Sequence, residues 1–191
     1  MSQALKLIAS DLSPGDRRST GADLGDITFH LVESAQDPLF QVGFQKLTDL
    51  FGPRGEMETR PVIEHRFSWN LRQPQPGKPL FHYAMIVALD PANQVAAVRD
   101  YTAIVHAPPE KAACTVHLSH LWVDPAYRRS GLAGWMRAFP VETARTLLAR
   151  ARHALHAPIT LAGEMEFPDG IDEARNIRLL AYEKAGYLKV D

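Results

Sequence analysis

Arg128-Arg129-Ser130-Gly131-Leu132-Ala133-Gly134 is the segment of this chain whose residue types and spacing point most directly to chemistry. It follows a β-rich run ending at Val123 and the turn residues Asp124-Pro125, and it opens a run rich in Ala, Leu and Arg. A strand that turns into a helix in this way aims unpaired backbone amides at one point, and the helix dipole adds partial positive charge there. That combination is a binding place for a pyrophosphate. Gly131, Ala133 and Gly134 let phosphate oxygens come close to the backbone, while Arg128 and Arg129 add charge and paired donors. By composition alone the segment is equally a helix start carrying two solvated arginines. It has neither the Gly-Lys-Ser/Thr of a nucleotide loop nor the spaced glycines of a dinucleotide fingerprint.

The elements around the segment follow from local pattern. Residues 10–26 are rich in Asp, Ser, Gly and Pro and read as an arm or loop preceding a single domain over 27–191. Ile27–Glu33 alternates as a strand. Asp37-Pro38 starts a helix whose apolar positions continue to Phe51. Residues 54–79 form an irregular insert, a loop or short helix. Leu80–Leu89, Val95–His106 and Cys114–Val123 read as an antiparallel meander, its first turn built on Asp90-Pro91-Ala92-Asn93. Leu132–Leu155 reads as a helix that Pro140 should kink or split. Ile159–Phe167 is a further strand with Glu164 and Glu166 on one face. A helix opened by Asp172 then runs to Ala185, with Ile177, Leu180 and Ala181 as its apolar stripe, and Tyr187–Val190 begins a last strand. The strand–helix–strand unit over 114–167 predicts a parallel pair with a right-handed crossover, and helices on both faces of a mixed sheet.

The 128–133 segment resembles the acyl-coenzyme A signature of the GNAT N-acetyltransferases, with Arg128, Gly131 and Ala133 on its defining positions after a strand ending Val123-Asp124-Pro125. Tyr182-Glu183-Lys184-Ala185-Gly186-Tyr187 is similar to that family's second hallmark. The resemblance implies an α/β (α+β) fold: a mixed, mostly antiparallel sheet splayed between two parallel strands. It implies acetyl-CoA as co-substrate and direct attack on its thioester by a primary amine. Leu121, Trp122 and Val123 would meet the pantetheine arm, and Arg128, Arg129, Ser130, Gly131, Leu132, Ala133 and Gly134 the pyrophosphate. Tyr182 takes the general acid's position. Asn176 is carried as a pantetheine contact, one residue beyond the position where the family places an Asn and this chain has Arg175. An ordinary amine, near pKa 10.4, needs a base before it can attack. Glu164, Glu166, His117 and His120 all stand as candidates, and a regular strand would put His117 and His120 on opposite faces. The alternative function is an acyl-CoA-binding regulator or sensor without turnover.

Composition sets outer bounds. With 191 residues, 46% apolar and 23% charged, the chain has enough material for one core. A net charge of −1 provides no general field for nucleic acid or anionic membrane. One cysteine, Cys114, builds neither a disulfide framework nor a zinc site. No histidine spacing suggests a metal. The run Arg137, Arg145, Arg150 and Arg152 reads as a solvated helix face. A cytoplasmic protein, with a homodimer as its assembly, is the expectation.

Overall fold

The computed structural model describes residues 3–4, 13, 15–16, 24, 26–75, 77–106, 113–151, 157–165 and 173–190. Strands β1 (Gln3–Ala4), β2 (Thr28–Val32), β3 (Leu80–Leu89), β4 (Val95–His106), β5 (Ala113–Val123) and β6 (Ile159–Ala162) form one sheet in sequence order. All neighbours are antiparallel except β5 and β6, which are parallel. Among the described residues these helices accompany them: α1 (Pro38–Phe51), α2 (Arg60–Phe67), α3 (Leu132–Arg150) and α4 (Glu173–Lys184).

The sheet's two faces carry separate apolar cores. Phe40, Phe44 and Leu47 of α1 and Ile63 and Phe67 of α2 pack on Tyr83, Met85, Val87 and Val98. Leu132, Met136, Phe139, Leu147 and Leu148 of α3 pack on Ala84, Ile86, Ala97, Tyr101, Val116 and Leu118, joined by Tyr182 and Tyr187. β3 and β4 are buried on both faces, which is why they read as nearly continuous apolar runs.

Several sequence expectations are corrected. α3 runs through Pro140 as one helix rather than splitting there, and Pro140 is buried. β6 ends at Ala162 rather than Phe167, and residues 187–190 form no strand. The two-residue β1 adds an edge strand paired with Leu31 and His30. A 3₁₀ turn at 52–54 leads into the 54–79 insert, which contains α2 and a 3₁₀ turn at 68–71. It is tied down by Asn70, whose amide accepts from the Tyr83 N–H and donates to the Tyr83 carbonyl, both at 2.8 Å, as a neighbouring strand would.

On α4 the outward and inward faces are reversed from expectation. Ile177 and Leu180 are 57% and 52% exposed, while Tyr182 and Ala185 turn inward. Leucine and isoleucine mark the wet side here because tyrosine and arginine occupy the packed one.

Candidate active site

The site begins where the sheet opens. β6 pairs with β5 only from Cys114 to His117. Beyond His117, β5 continues to Val123 with β4 alone at its side among the described residues, so within them the β6-side edge from Leu118 to Val123 carries backbone groups free for an extended ligand. Leu121, Trp122 and Val123 lie on that edge.

The edge leads straight into the loop over 124–131. Asp124 accepts from the Ala126 N–H at 2.9 Å and starts a 3₁₀ turn at 125–127. The Tyr127 hydroxyl donates to Asp90 at 2.9 Å, anchoring the turn to the β3–β4 hairpin. Ser130 Oγ donates to the Tyr127 carbonyl and accepts from the Leu132 N–H, and the Gly134 N–H reaches the Gly131 carbonyl. Among the described residues the amides of Arg129, Ser130, Gly131 and Ala133 find no protein acceptor. Arg129 and Gly131 sit at φ 66° and 88°. Left-handed residues alternating with others turn successive N–H groups toward one concave side, the geometry of an anion nest. The Arg128 and Arg129 side chains are exposed beside it. A diphosphate fits this donor set.

On the α1–α2 face, a β-bulge alters what β5 presents. Arg99 faces Leu121 and Tyr101 faces Leu118, so Ser119 and His120 both stand opposite Asp100. The extra residue brings His117 and His120 onto the same face, where a regular strand would have separated them. Asp100 is fully buried. Its Oδ1 accepts from the His120 backbone N–H at 2.8 Å and from His120 Nδ1 at 3.0 Å, and its Oδ2 accepts from the Tyr83 hydroxyl at 3.0 Å. His120 Nε2 points at the Glu56 carbonyl, 3.0 Å away. Both ring nitrogens therefore face acceptors, which requires a proton on each.

Burial pushes the imidazole down, but the Asp100 hydrogen bond and charge, the Glu56 carbonyl and the Glu58 charge outweigh it and raise the pKa to about 9. Burial likewise works against the Asp100 carboxylate, and the hydrogen bonds and charge of His120 hold it below the ordinary range. His120 is thus a part-buried cation at neutral pH with no free lone pair.

A pH consequence follows. The folded state holds the His120 proton more tightly than the unfolded chain, so the stabilisation is complete below about pH 6.5 and disappears as pH rises through about 9. Solvent at the ring edge screens part of it, leaving about 1–2 kcal/mol. Urea unfolding between pH 6.5 and 9.5 should show that loss in the natural protein and a flatter profile in His120→Gln. Equal slopes would mean the proton is not held this way.

His117 is partly open, at 39% side-chain exposure, with Ser119 Oγ 3.4 Å from Nδ1 and Glu164 Oε1 4.0 Å from Nε2. Glu164, beyond the end of β6, is 97% exposed. Glu166 lies outside the described residues. Asn176 is exposed on α4.

On the α3–α4 face, the Tyr182 phenol accepts from Arg99 Nη2 at 3.0 Å, and the Arg137 guanidinium lies 5.2 Å over its ring. Tyr187 packs edge-on against it at 4.9 Å. Burial pushes the phenol's pKa up, but the Arg99 charge and hydrogen bond, with Arg137 behind them, bring it below the ordinary tyrosine value. Arg137 is no solvated arginine. It is 6% exposed and ion-paired with buried Asp16, Nε to Oδ2 at 3.1 Å. Asp16 comes from the N-terminal region, seated where a Cβ on Gly15 would overlap the Lys184 carbonyl at 1.6 Å. Sequence reading missed Arg99, Asp100 and Asp16. A signal for the first two was present: adjacent opposite charges inside the apolar run Val95–His106.

Among the described residues no His, Cys, Asp and Glu group could hold a metal ion, and no helix is long and apolar enough to cross a membrane. No protein-family model matches the chain, and no curated protein matches it. Solved structures do. An aminoglycoside acetyltransferase from an uncultured soil metagenomic sample superposes with a TM-score of 0.55 at 14% identity, over 87% of this chain and 95% of that one. A possible acetyltransferase from Clostridium difficile matches at 14% identity, over 85% and 92% of the two chains, with a TM-score of 0.47. An aminoglycoside 6'-N-acetyltransferase from Acinetobacter baumannii matches at 14% identity over 86% and 92%, with a TM-score of 0.45.

Proposed function

We propose that this chain, whose fold is that of the GNAT acetyltransferases, binds acetyl-CoA along the open edge of β5 and transfers the acetyl group to a primary amine. The observation that carries the reading is the parting of β5 from β6 after His117, which exposes a strand edge running directly into the nest of amides at 129, 130, 131 and 133 that have no acceptor among the described residues. An extended pantetheine arm can add to such an edge as a strand would, and a diphosphate can take the nest and helix dipole. The bound thioester supplies an activated acyl carbon. Everything else is the work of the chain's own residues.

Two protein groups serve the proton movements from opposite faces of the sheet, and the gap between β5 and β6 is where groups from both faces can meet. Tyr182 holds a proton on Oη that it delivers to the departing sulfur. Its oxygen accepts from Arg99, which leaves its own O–H free to donate. His117, open to solvent and next to Glu164, is the group we assign to take the amine's proton. His120, already protonated and engaged at both nitrogens, instead fixes the bulge through Asp100 and so shapes the strand edge. Aminoglycosides, which the neighbour at a TM-score of 0.55 is named for, are one amine class to include among acceptors tested.

Calorimetry with coenzyme A and a thiol-release assay over a panel of amines test the proposal together. Binding with thiol release dependent on an amine is expected. Binding without release for any amine would leave an acyl-CoA sensor, and no binding at millimolar coenzyme A would remove the reading altogether. In the double variant Arg128→Ala/Arg129→Ala, the dissociation constant for coenzyme A should rise about tenfold or more, since charge-assisted hydrogen bonds are worth about 1.5–3 kcal/mol each before solvent screening. Dissociation constants measured at 50 and 300 mM salt should converge for variant and natural protein as screening grows.

A further inference from the structure

Arg99 has no structural explanation in the fold alone. It lies in the centre of β4, and none of its surface is exposed. A buried guanidinium is costly unless its charge is paired and its donors used. Only Nη2 finds a partner, the Tyr182 oxygen, while Nε and Nη1 meet no acceptor among the described residues. The nearby carboxylate, Asp16, is committed to Arg137. Among the described residues two guanidinium groups therefore share this pocket with one carboxylate, and the phenol contacts both.

Position matters as much as charge. Arg99 is paired in register with Leu121, on the strand edge that opens beyond His117. The guanidinium thus sits one strand behind the place where the thioester would lie, and it reaches Tyr182 from beneath.

We infer that Arg99 is a positioning residue for Tyr182: it fixes the phenol's orientation and supplies the cation that the phenolate faces once its proton has left. This rests on the acid role given to Tyr182 above. When the amine nitrogen bonds to the acyl carbon and the carbon–sulfur bond breaks, the electron pair goes to sulfur. Tyr182 gives its proton to that sulfur and becomes a phenolate. The amine's proton goes to the base and then to solvent, and solvent returns a proton to Tyr182. A buried phenolate is stabilised by the same unpaired guanidinium that is costly beside a neutral phenol. The cation's burial cost is thus relieved at the step where it is needed.

Charged and titratable groups act on the phenol from each element packed against it: Arg99 on β4, Arg137 on α3, Asp16 from the N-terminal region and Tyr187 beyond α4, with Arg178 one turn earlier in the sequence of α4 itself. Arg137 already has a carboxylate partner. Arg99 is therefore the residue whose removal should alter Tyr182 most.

The test uses Arg99→Met, which removes charge and donors, and Arg99→Gln, which keeps a donor without the charge. Ultraviolet titration of the full chain, referenced to Tyr182→Phe to isolate this phenol, should show it ionising at lower pH than an ordinary tyrosine. In Arg99→Met that ionisation should move to higher pH, and Arg99→Gln should follow it. Turnover in the thiol-release assay should fall about tenfold in both, with the pH–rate profile displaced in the same direction and coenzyme A affinity unchanged. If Arg99→Met does not fold, Arg99→Gln is read alone by the same criteria. A titration that stays in place overturns the inference even where Tyr182 proves essential. A displaced titration with an unmoved pH–rate profile also overturns it, confining Arg99 to packing. Full turnover in Tyr182→Phe removes the acid role itself, and this inference with it, whatever the titration shows.

Discussion

Replacing Tyr182 by Phe should lower turnover by about 10²-fold or more while leaving coenzyme A affinity unchanged, the range expected for loss of a general acid. The substitution removes one oxygen and keeps the ring, so the edge-on contact with Tyr187 and the place under Arg137 persist. What disappears is the proton donor, together with the acceptor of the Arg99 hydrogen bond. An effect confined to kcat means the lost interaction belongs to the reacting state rather than to binding. The check is a thiol-release assay at saturating amine, alongside calorimetric titration with coenzyme A and a melting curve. A folded variant with natural turnover would disprove the role. A large rise in the dissociation constant with little change in kcat would make Tyr182 a binding residue instead.

What sequence alone discloses here divides along the line between local and distant causes. The strand–turn–helix geometry around Gly131 is legible because all its determinants lie within a few residues: a strand end, Asp124 as cap, Gly131 at positive φ and a helix start. The meander was legible for the same reason, its hairpin turn being held by Asp90 to the Ala92 and Gln94 amides. The surroundings of Tyr182 were not. Arg137 looked like one of a row of solvated arginines, and what makes its burial tolerable is Asp16, 121 residues earlier in the chain. No periodicity reports such a partner. The α4 face was misread because Ile177 and Leu180 outrank tyrosine and arginine in hydropathy, while the packed side is set by a polar network. The relative facing of His117 and His120 turned on a single inserted residue. One bulge shifts a strand's alternation by a full step, and alternation counted along the sequence does not reveal it. The end of β6 was overrun for a related reason: Ile159–Phe167 alternates throughout, but pairing with β5 stops at Ala162.

The buried carboxylate of Asp100 leads to the largest expected loss of stability. In Asp100→Ala the buried Tyr83 hydroxyl and the part-buried His120 ring and backbone N–H all lose their acceptor. Removing one member of a buried ion pair costs about 3–5 kcal/mol, because the other charge stays behind uncompensated. The imidazole would then answer to burial, which favours its neutral form. Part of the cost can therefore be recovered by removing the histidine as well. The double variant Asp100→Ala/His120→Ala should be less destabilised than the sum of the two single variants by about 1 kcal/mol or more, as expected for residues that share one network. Urea unfolding of the four proteins at pH 6.5, where His120 is charged, measures this coupling. At pH 10, where the imidazole has lost its proton even in the natural protein, the coupling should shrink. Additive losses at both pH values would mean that Asp100 is held by packing rather than by the charge of His120. The bulge that brings His117 and His120 to one face would then have to be maintained by the backbone alone.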